Sequence, residues 1–105
     1  MYRHEEFEDY PAYRNVSAIY HRFLETDGIE DHGEYDARKS AYQKTLQHVA
    51  KAYGEKSESC AAAHYYLANF YQGNQELTKA VAHWEKVLAI EKKASARLVR
   101  ITAIL

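Results

Sequence analysis

Six histidines, one cysteine and a short acidic segment are the residues of this 105-residue chain best suited to metal or nucleophilic chemistry. No two histidines are three or four residues apart, so no single helix offers two imidazoles to one metal ion. Cys60 has no Cys–His motif beside it, and a small packing role is the simpler interpretation. Phosphate-binding glycine loops, GxSxG, CxxC and HExxH patterns do not occur. We therefore expect no enzyme activity, no resident metal and no cofactor.

The acidic segment 25–36 could in principle bind calcium through side-chain oxygens. A calcium loop needs oxygen ligands at its first, third and fifth positions and a glycine at its sixth. A loop starting at Asp27 puts Ile29 in the third position and His32 in the sixth. A loop with Gly33 in the sixth position puts Gly28 in the first. Both registers fail, and the segment is predicted to be a solvated loop.

The composition indicates a folded, all-α chain. Hydrophobic residues make up 47% and charged residues 28%, which is too apolar for a disordered chain. One proline and four glycines are too few for the many turns of a sandwich or barrel. We expect one helical domain over residues 1–105. A signal-like start and a membrane-length apolar run are lacking, so we expect a cytoplasmic location and no membrane partner.

Apolar residues recurring at steps of three and four predict helices over 11–26, 36–53, 58–72 and 75–92. Ser57 is expected to cap the third helix and Asn74 the fourth. A fifth helix over 95–105 requires a break near Lys93–Ser95, which we favour. The alternative is one long helix, because neither glycine nor proline follows Asn74. The predicted buried face of the first helix is Tyr13, Val16, Tyr20, Phe23 and Leu24, and that of the second is Tyr35, Tyr42, Leu46, Val49 and Tyr53. The third helix has two predicted stripes, one of Cys60, His64, Leu67 and Tyr71 and one of Ala63, Tyr66 and Phe70. The predicted face of the fourth helix is Leu77, Ala80, Val81, Trp84 and Leu88.

Charge is unevenly distributed along the sequence. Residues 1–36 contain ten acids and three arginines, a net charge of −7, whereas residues 37–105 contain eleven bases and five acids, a net charge of +6. Two solvated faces of opposite sign are the simplest interpretation. The ten tyrosines fall mostly on the apolar faces, so packing explains them better than base stacking, and we expect no nucleic-acid partner.

Residues 61–94 resemble a tetratricopeptide repeat (TPR), a 34-residue pair of helices. The resemblance rests on His64-x2-Leu67-Ala68-x2-Tyr71 followed by Ala80-x3-Trp84. Alanines at 68 and 80 allow two helices to approach closely, and Tyr71 and Trp84 fill the space beside them. The match counts Ala68 in place of glycine and Trp84 in place of phenylalanine. The chain departs further from the TPR pattern with His64 in place of tryptophan, Val87 in place of alanine and Lys92 in place of proline.

The resemblance implies antiparallel hairpins stacked as a short α-solenoid of four to five helices. Segment 11–53 would be a divergent hairpin, 58–92 the TPR-like hairpin, and 95–105 a following or capping helix. It also implies a non-enzymatic protein–protein interaction module that binds a peptide or helix of a partner protein. The TPR groove positions that carry over are Tyr65, Tyr66, Asn69, Gln72 and Arg100, together with Ala62 and Gly73. Packing of Tyr65 and Tyr66 against the first two helices is the alternative.

The C-terminal residues Leu98, Ile101, Ile104 and Leu105 form a further apolar stripe. The stripe could fold onto the fourth helix, bury itself in a second copy as a homo-oligomer, or belong to a larger helical protein. Two other functions stay open alongside the interaction module. One is a helical sensor that binds a small ligand or metal, and the other is a structural oligomerisation segment.

Overall fold

The computed structural model describes residues 10–26, 28 and 34–104, with side chains described up to residue 91. Four helices account for nearly all of this range: α1 (Pro11–Thr26), α2 (Tyr35–Tyr53), α3 (Glu58–Gly73) and α4 (Leu77–Ile104). No β-strand occurs among these residues, so the all-α prediction is confirmed. Half of the predicted acidic loop, residues 27 and 29–33, lies outside the described residues, whereas 25–26 belong to α1 and 35–36 to α2.

Helix α1 buries the face that its sequence predicts. Tyr13, Val16, Tyr20 and Leu24 are buried, at spacings of three and four residues that bring them onto one side of the helix. Pro11 occupies the first turn, where its missing N–H leaves no hydrogen bond unmade. The helix stops before Gly28, which has a left-handed φ of 72° and donates its N–H to the carbonyl of Glu25.

Helix α2 is rotated relative to the predicted face. Ala41, Thr45 and Val49 face the core, and the Thr45 hydroxyl is satisfied by the carbonyl of Ala41 at 2.7 Å. Tyr53, which was predicted to be buried, is 54% exposed. The small side chains face the core because they let α2 approach its neighbours, and Tyr42 lies half-buried at the edge.

Helix α3 begins at the cap that the sequence predicts, with the Ser57 hydroxyl accepting the N–H of Cys60 at 3.1 Å. Most members of the two predicted stripes are buried, namely Cys60, Leu67 and Tyr71 on one and Ala63 and Phe70 on the other. His64 and Tyr66 are half-buried. Nine of its sixteen residues are buried, so the helix must have neighbours on more than one side. The buried residues include four alanines, Ala61, Ala62, Ala63 and Ala68. Their small side chains allow the neighbouring helices to approach closely.

Two predictions about helix α4 are wrong. The helix continues without a break from Leu77 to Ile104, because Lys93, Ala94 and Ser95 are all compatible with a helix and no glycine or proline interrupts them. Asn74 caps the preceding helix instead of α4. Its side-chain amide donates to the carbonyl of Phe70 at 2.7 Å, and Gln75 makes the turn with a left-handed φ of 62°.

Successive helices run antiparallel. Asn15 of α1 reaches Tyr53 of α2, whereas Leu24 packs with Ala41. Between α3 and α4, Tyr71 stacks on His83 while Cys60 lies near Ile90. Helix α3 packs against all three other helices. Within the described part of the chain, α4 brings its Cα atoms within 8 Å of α3 alone.

A side-chain contact also connects α1 with α4, since the Tyr13 hydroxyl donates to Glu91 at 3.4 Å. The same hydroxyl is held away from water, and burial followed by the charge of Glu91 raises the pKa of Tyr13. Over the residues described, none of the helices combines the length and apolar character needed to cross a bilayer.

Candidate functional site

Two of the five predicted groove residues belong to the packed interior. Tyr65 is only 2% exposed, with its ring edge-to-face against Tyr13 at 5.3 Å and Trp84 at 5.5 Å. Tyr66 is half-buried, and its hydroxyl donates to the carbonyl of Tyr13 at 3.1 Å. The packing alternative therefore describes Tyr65, which has almost no surface for a peptide in this arrangement. Tyr66 mainly holds α3 against α1.

Two other predicted residues do reach a common surface. Asn69 and Gln72 line an open depression together with Gly73 and the half-buried ring of Trp84. We call this depression the groove. It lies where α3 meets α4, so one wall carries amides and the other an indole. The fifth predicted residue, Arg100, lies beyond the described side chains, as do Leu98, Ile101, Ile104 and Leu105.

Helix α4 presents three large apolar side chains to solvent beside the groove. Leu77 is 62% exposed, Val81 52% and Leu88 66%; together they form what we call the exposed stripe. Spacings of four and seven residues put them on one face of the helix, next to Trp84. The apolar spacing predicts that these three residues are buried, and that prediction is wrong. Ala80 and Val87 face α3 instead, because their smaller side chains allow closer packing.

The back of the α3–α4 hairpin contains a pair of imidazoles that no local sequence pattern predicts. The Nδ1 atoms of His64 and His83 are 2.9 Å apart, and Tyr71 stacks on His83. One ring must donate and the other accept, so the contact requires at least one neutral imidazole. The antiparallel register of the hairpin, which also brings Leu67 together with Ala80, is the signal that could have revealed this pair.

The histidine pair is held in its neutral form. Burial, then His83, then Lys86 lower the pKa of His64 to about 4, and burial followed by Lys86 lowers the pKa of His83. Two imidazoles are too few ligands for a closed structural metal site. Among the described residues, no group of three or more His, Cys, Asp or Glu side chains is placed to hold a metal ion.

Cys60 lies one turn before His64 and is buried. Burial and the charge of Glu55 raise the pKa of its thiol, whereas Lys86 acts in the opposite direction. Because the thiolate is the reactive form, this environment suppresses nucleophilic chemistry. The thiol therefore fits the packing role that the sequence suggested.

No protein-family model, curated protein or solved structure matches this chain. The groove and the exposed stripe must therefore be interpreted from their own geometry. Together they offer a row of aliphatic side chains, one edge of an indole and two amides. Such a surface can bind apolar side chains and hydrogen-bond a polypeptide backbone.

Proposed function

We propose that this chain is a non-enzymatic protein–protein interaction module of TPR type. Its binding face consists of the groove and the exposed stripe, and its ligand is an amphipathic helix or peptide of a partner protein. The observation that carries the proposal is the solvent exposure of Leu77, Val81 and Leu88 in one row beside Trp84.

The order of helix contacts supports a repeat-like arrangement. Helix α3 packs against both members of the α1–α2 hairpin. Such a hairpin offers a seam between two helices, and a third helix fills it. The α3–α4 hairpin has a seam of the same kind, bordered by the groove and the exposed stripe. Positions of the TPR-like pattern also lie where close packing needs them, since Leu67, Ala68, Tyr71 and Ala80 are all buried.

The physical gain from covering the exposed stripe is large enough to drive binding. Moving a leucine or valine side chain from water into an apolar contact contributes about 1.5–3 kcal/mol. Single exposed apolar residues are common on protein surfaces, but a contiguous row beside an aromatic ring is typical of an interaction site. Asn69 can fix the orientation of a bound polypeptide, because its amide can donate and accept a hydrogen bond at once.

A helical-peptide selection tests this proposal. A displayed library of 16-residue amphipathic peptides is selected on the immobilised protein, and the enriched peptides are synthesised and measured by fluorescence anisotropy. We expect enrichment of apolar residues at i, i+3 or i+4 and i+7, the spacing that packs a helix into a groove. The double variant Val81→Glu/Leu88→Glu should weaken their binding at least about tenfold, which corresponds to about 1.4 kcal/mol.

Ala82→Glu is the matched control, because Ala82 is an exposed residue of the same helix on the other side from Trp84. This variant should bind the selected peptides as the wild type does. Circular dichroism checks that all three proteins stay helical. Failure to enrich any helical peptide, or equal binding to wild type and the double variant, contradicts the proposal.

A further inference from the structure

Helix α4 is much longer than the helix against which it packs. The α3–α4 register brings Tyr65 to Trp84 and Cys60 to Ile90. Since α3 begins at Glu58, it reaches only to about residue 91 of α4. The backbone of α4 continues to Ile104, so residues 92–104 extend past the hairpin. We call this segment the overhang, and at 1.5 Å per residue it is about 20 Å long.

An overhang of this length needs a neighbour. Helices in proteins gain most of their stability from packing an apolar face against a neighbour. By sequence, the overhang combines aliphatic residues, among them Leu98 and Ile101, with four cationic residues and no acidic one. Such a composition is typical of an amphipathic helix that packs on one side and is solvated on the other.

We propose that the helix bound by the exposed stripe is the overhang of a second copy of this chain. Two α4 helices then lie antiparallel, and each overhang covers the stripe of the other copy. This inference rests on the proposed function, because it names the occupant of the same face.

The lengths of the two segments favour a second copy. The exposed stripe spans residues 77–88 and the overhang spans 92–104, so they are nearly equal in length. An antiparallel pair that sets Val81 opposite Ile101 also sets Trp84 opposite Leu98 and Leu88 opposite Ala94. One symmetric contact therefore covers both stripes and both overhangs, as expected for an interface with two-fold symmetry.

Charge favours the same arrangement. In this register Glu85, which is exposed on α4, faces Arg97 of the second copy. A head-to-tail stack is disfavoured, because the free side of α1 is polar. Its exposed residues include Arg14, Asn15 and Arg22, which cannot cover a row of leucines. The two copies therefore associate through α4.

Mass in solution tests the proposal directly. Sedimentation equilibrium of the full chain, from about 5 to about 300 μM, should show a transition from 12.2 kDa to twice that mass. Val81→Glu/Leu88→Glu in the stripe and Leu98→Lys/Ile101→Lys in the overhang should each remain at 12.2 kDa throughout. Ala82→Glu should behave as the wild type. A wild type that stays monomeric at the highest concentration overturns the inference.

Mixing the two double variants separates self-association from any other use of the face. The stripe variant keeps its overhang and the overhang variant keeps its stripe, so an equimolar mixture should regain the dimer mass. A mixture that stays monomeric overturns the antiparallel arrangement. A monomeric wild type that still binds the selected helical peptides eliminates the second copy but not the helix-binding face. A wild type that neither dimerises nor binds the selected peptides eliminates both proposals.

Discussion

The contact between His64 and His83 combines packing and protonation in one place. The two rings lie between α3 and α4, and the 2.9 Å approach of their Nδ1 atoms depends on a neutral acceptor nitrogen. Burial and the nearby Lys86 both oppose a proton on either ring. Protonation of both rings would therefore set two N–H donors against each other between α3 and α4.

This contact predicts a loss of stability in mild acid. The pKa of His64 falls from 6.5 in the unfolded chain to about 4 in the fold. Between these values the unfolded state binds more protons than the folded state. His64 therefore makes its full contribution to the free energy of unfolding above pH 6.5, and that contribution declines as the pH falls towards 4. Because the ring is only half-buried, we expect a loss of about 1 kcal/mol between pH 7.5 and pH 5, well below the full linkage value. Urea unfolding at the two pH values measures it.

His64→Gln should reduce that pH dependence, because glutamine does not titrate. His48→Gln is the comparison variant, since His48 is exposed on α2. It should leave the pH dependence close to that of the wild type. Equal pH dependence in the wild type and His64→Gln would show that the histidine pair does not contribute.

The helices end where specific side chains satisfy their backbone groups. Ser57 accepts an N–H at the start of α3, and Asn74 donates to a carbonyl at its end. Helix α4 continues to Ile104, and its sequence contains neither glycine nor proline. Because α4 has no break near Lys93–Ser95, residues 92–104 extend past α3 as the overhang.

Loss of the α3 cap should cost stability. Ser57→Ala removes the oxygen that accepts the Cys60 N–H, and we expect the free energy of unfolding to fall by about 1 kcal/mol. Urea unfolding at neutral pH measures the change. Ser59→Ala, in the first turn of the same helix, is the control and should change stability by less than half as much. Similar losses in both variants would mean that the cap is not the cause.

The molecule is organised around α3. This helix packs against all three others, and alanines at its contact surfaces keep the interhelical distances short. Ala68 is completely buried, and it lies in the part of the hairpin where Leu67 and Ala80 meet. Aromatic side chains then fill the space around these close contacts, as Tyr65 does between Tyr13 and Trp84.

A larger residue at position 68 should disrupt the packing of the whole domain. Ala68→Leu adds volume where there is none to spare, and we expect a loss of about 1–3 kcal/mol in the free energy of unfolding. Ala82→Leu adds the same side chain at an exposed position and should change stability by less than about 0.5 kcal/mol. Denaturant midpoints of the two variants decide the matter, and equal midpoints would refute the close approach at Ala68.

Several features of the fold follow from local sequence. The 3.6-residue period identifies the buried face of α1, the two buried faces of α3 and the all-α class. Ser57 marks a helix start, and Gly28 and Gly54 follow the ends of α1 and α2. These signals are local because helix periodicity, capping and left-handed glycines depend on residues a few positions apart.

The sequence by itself determined which side chains share a helix face, but only the tertiary structure decided which of those faces is covered. Leu77, Val81 and Leu88 have the spacing of a buried stripe and yet lie in solvent, because α3 packs against Ala80 and Val87 instead. His64 and His83 meet only because the hairpin brings two distant turns together. Burial and such contacts depend on what lies across the interface, and a helical period contains no information about the neighbour.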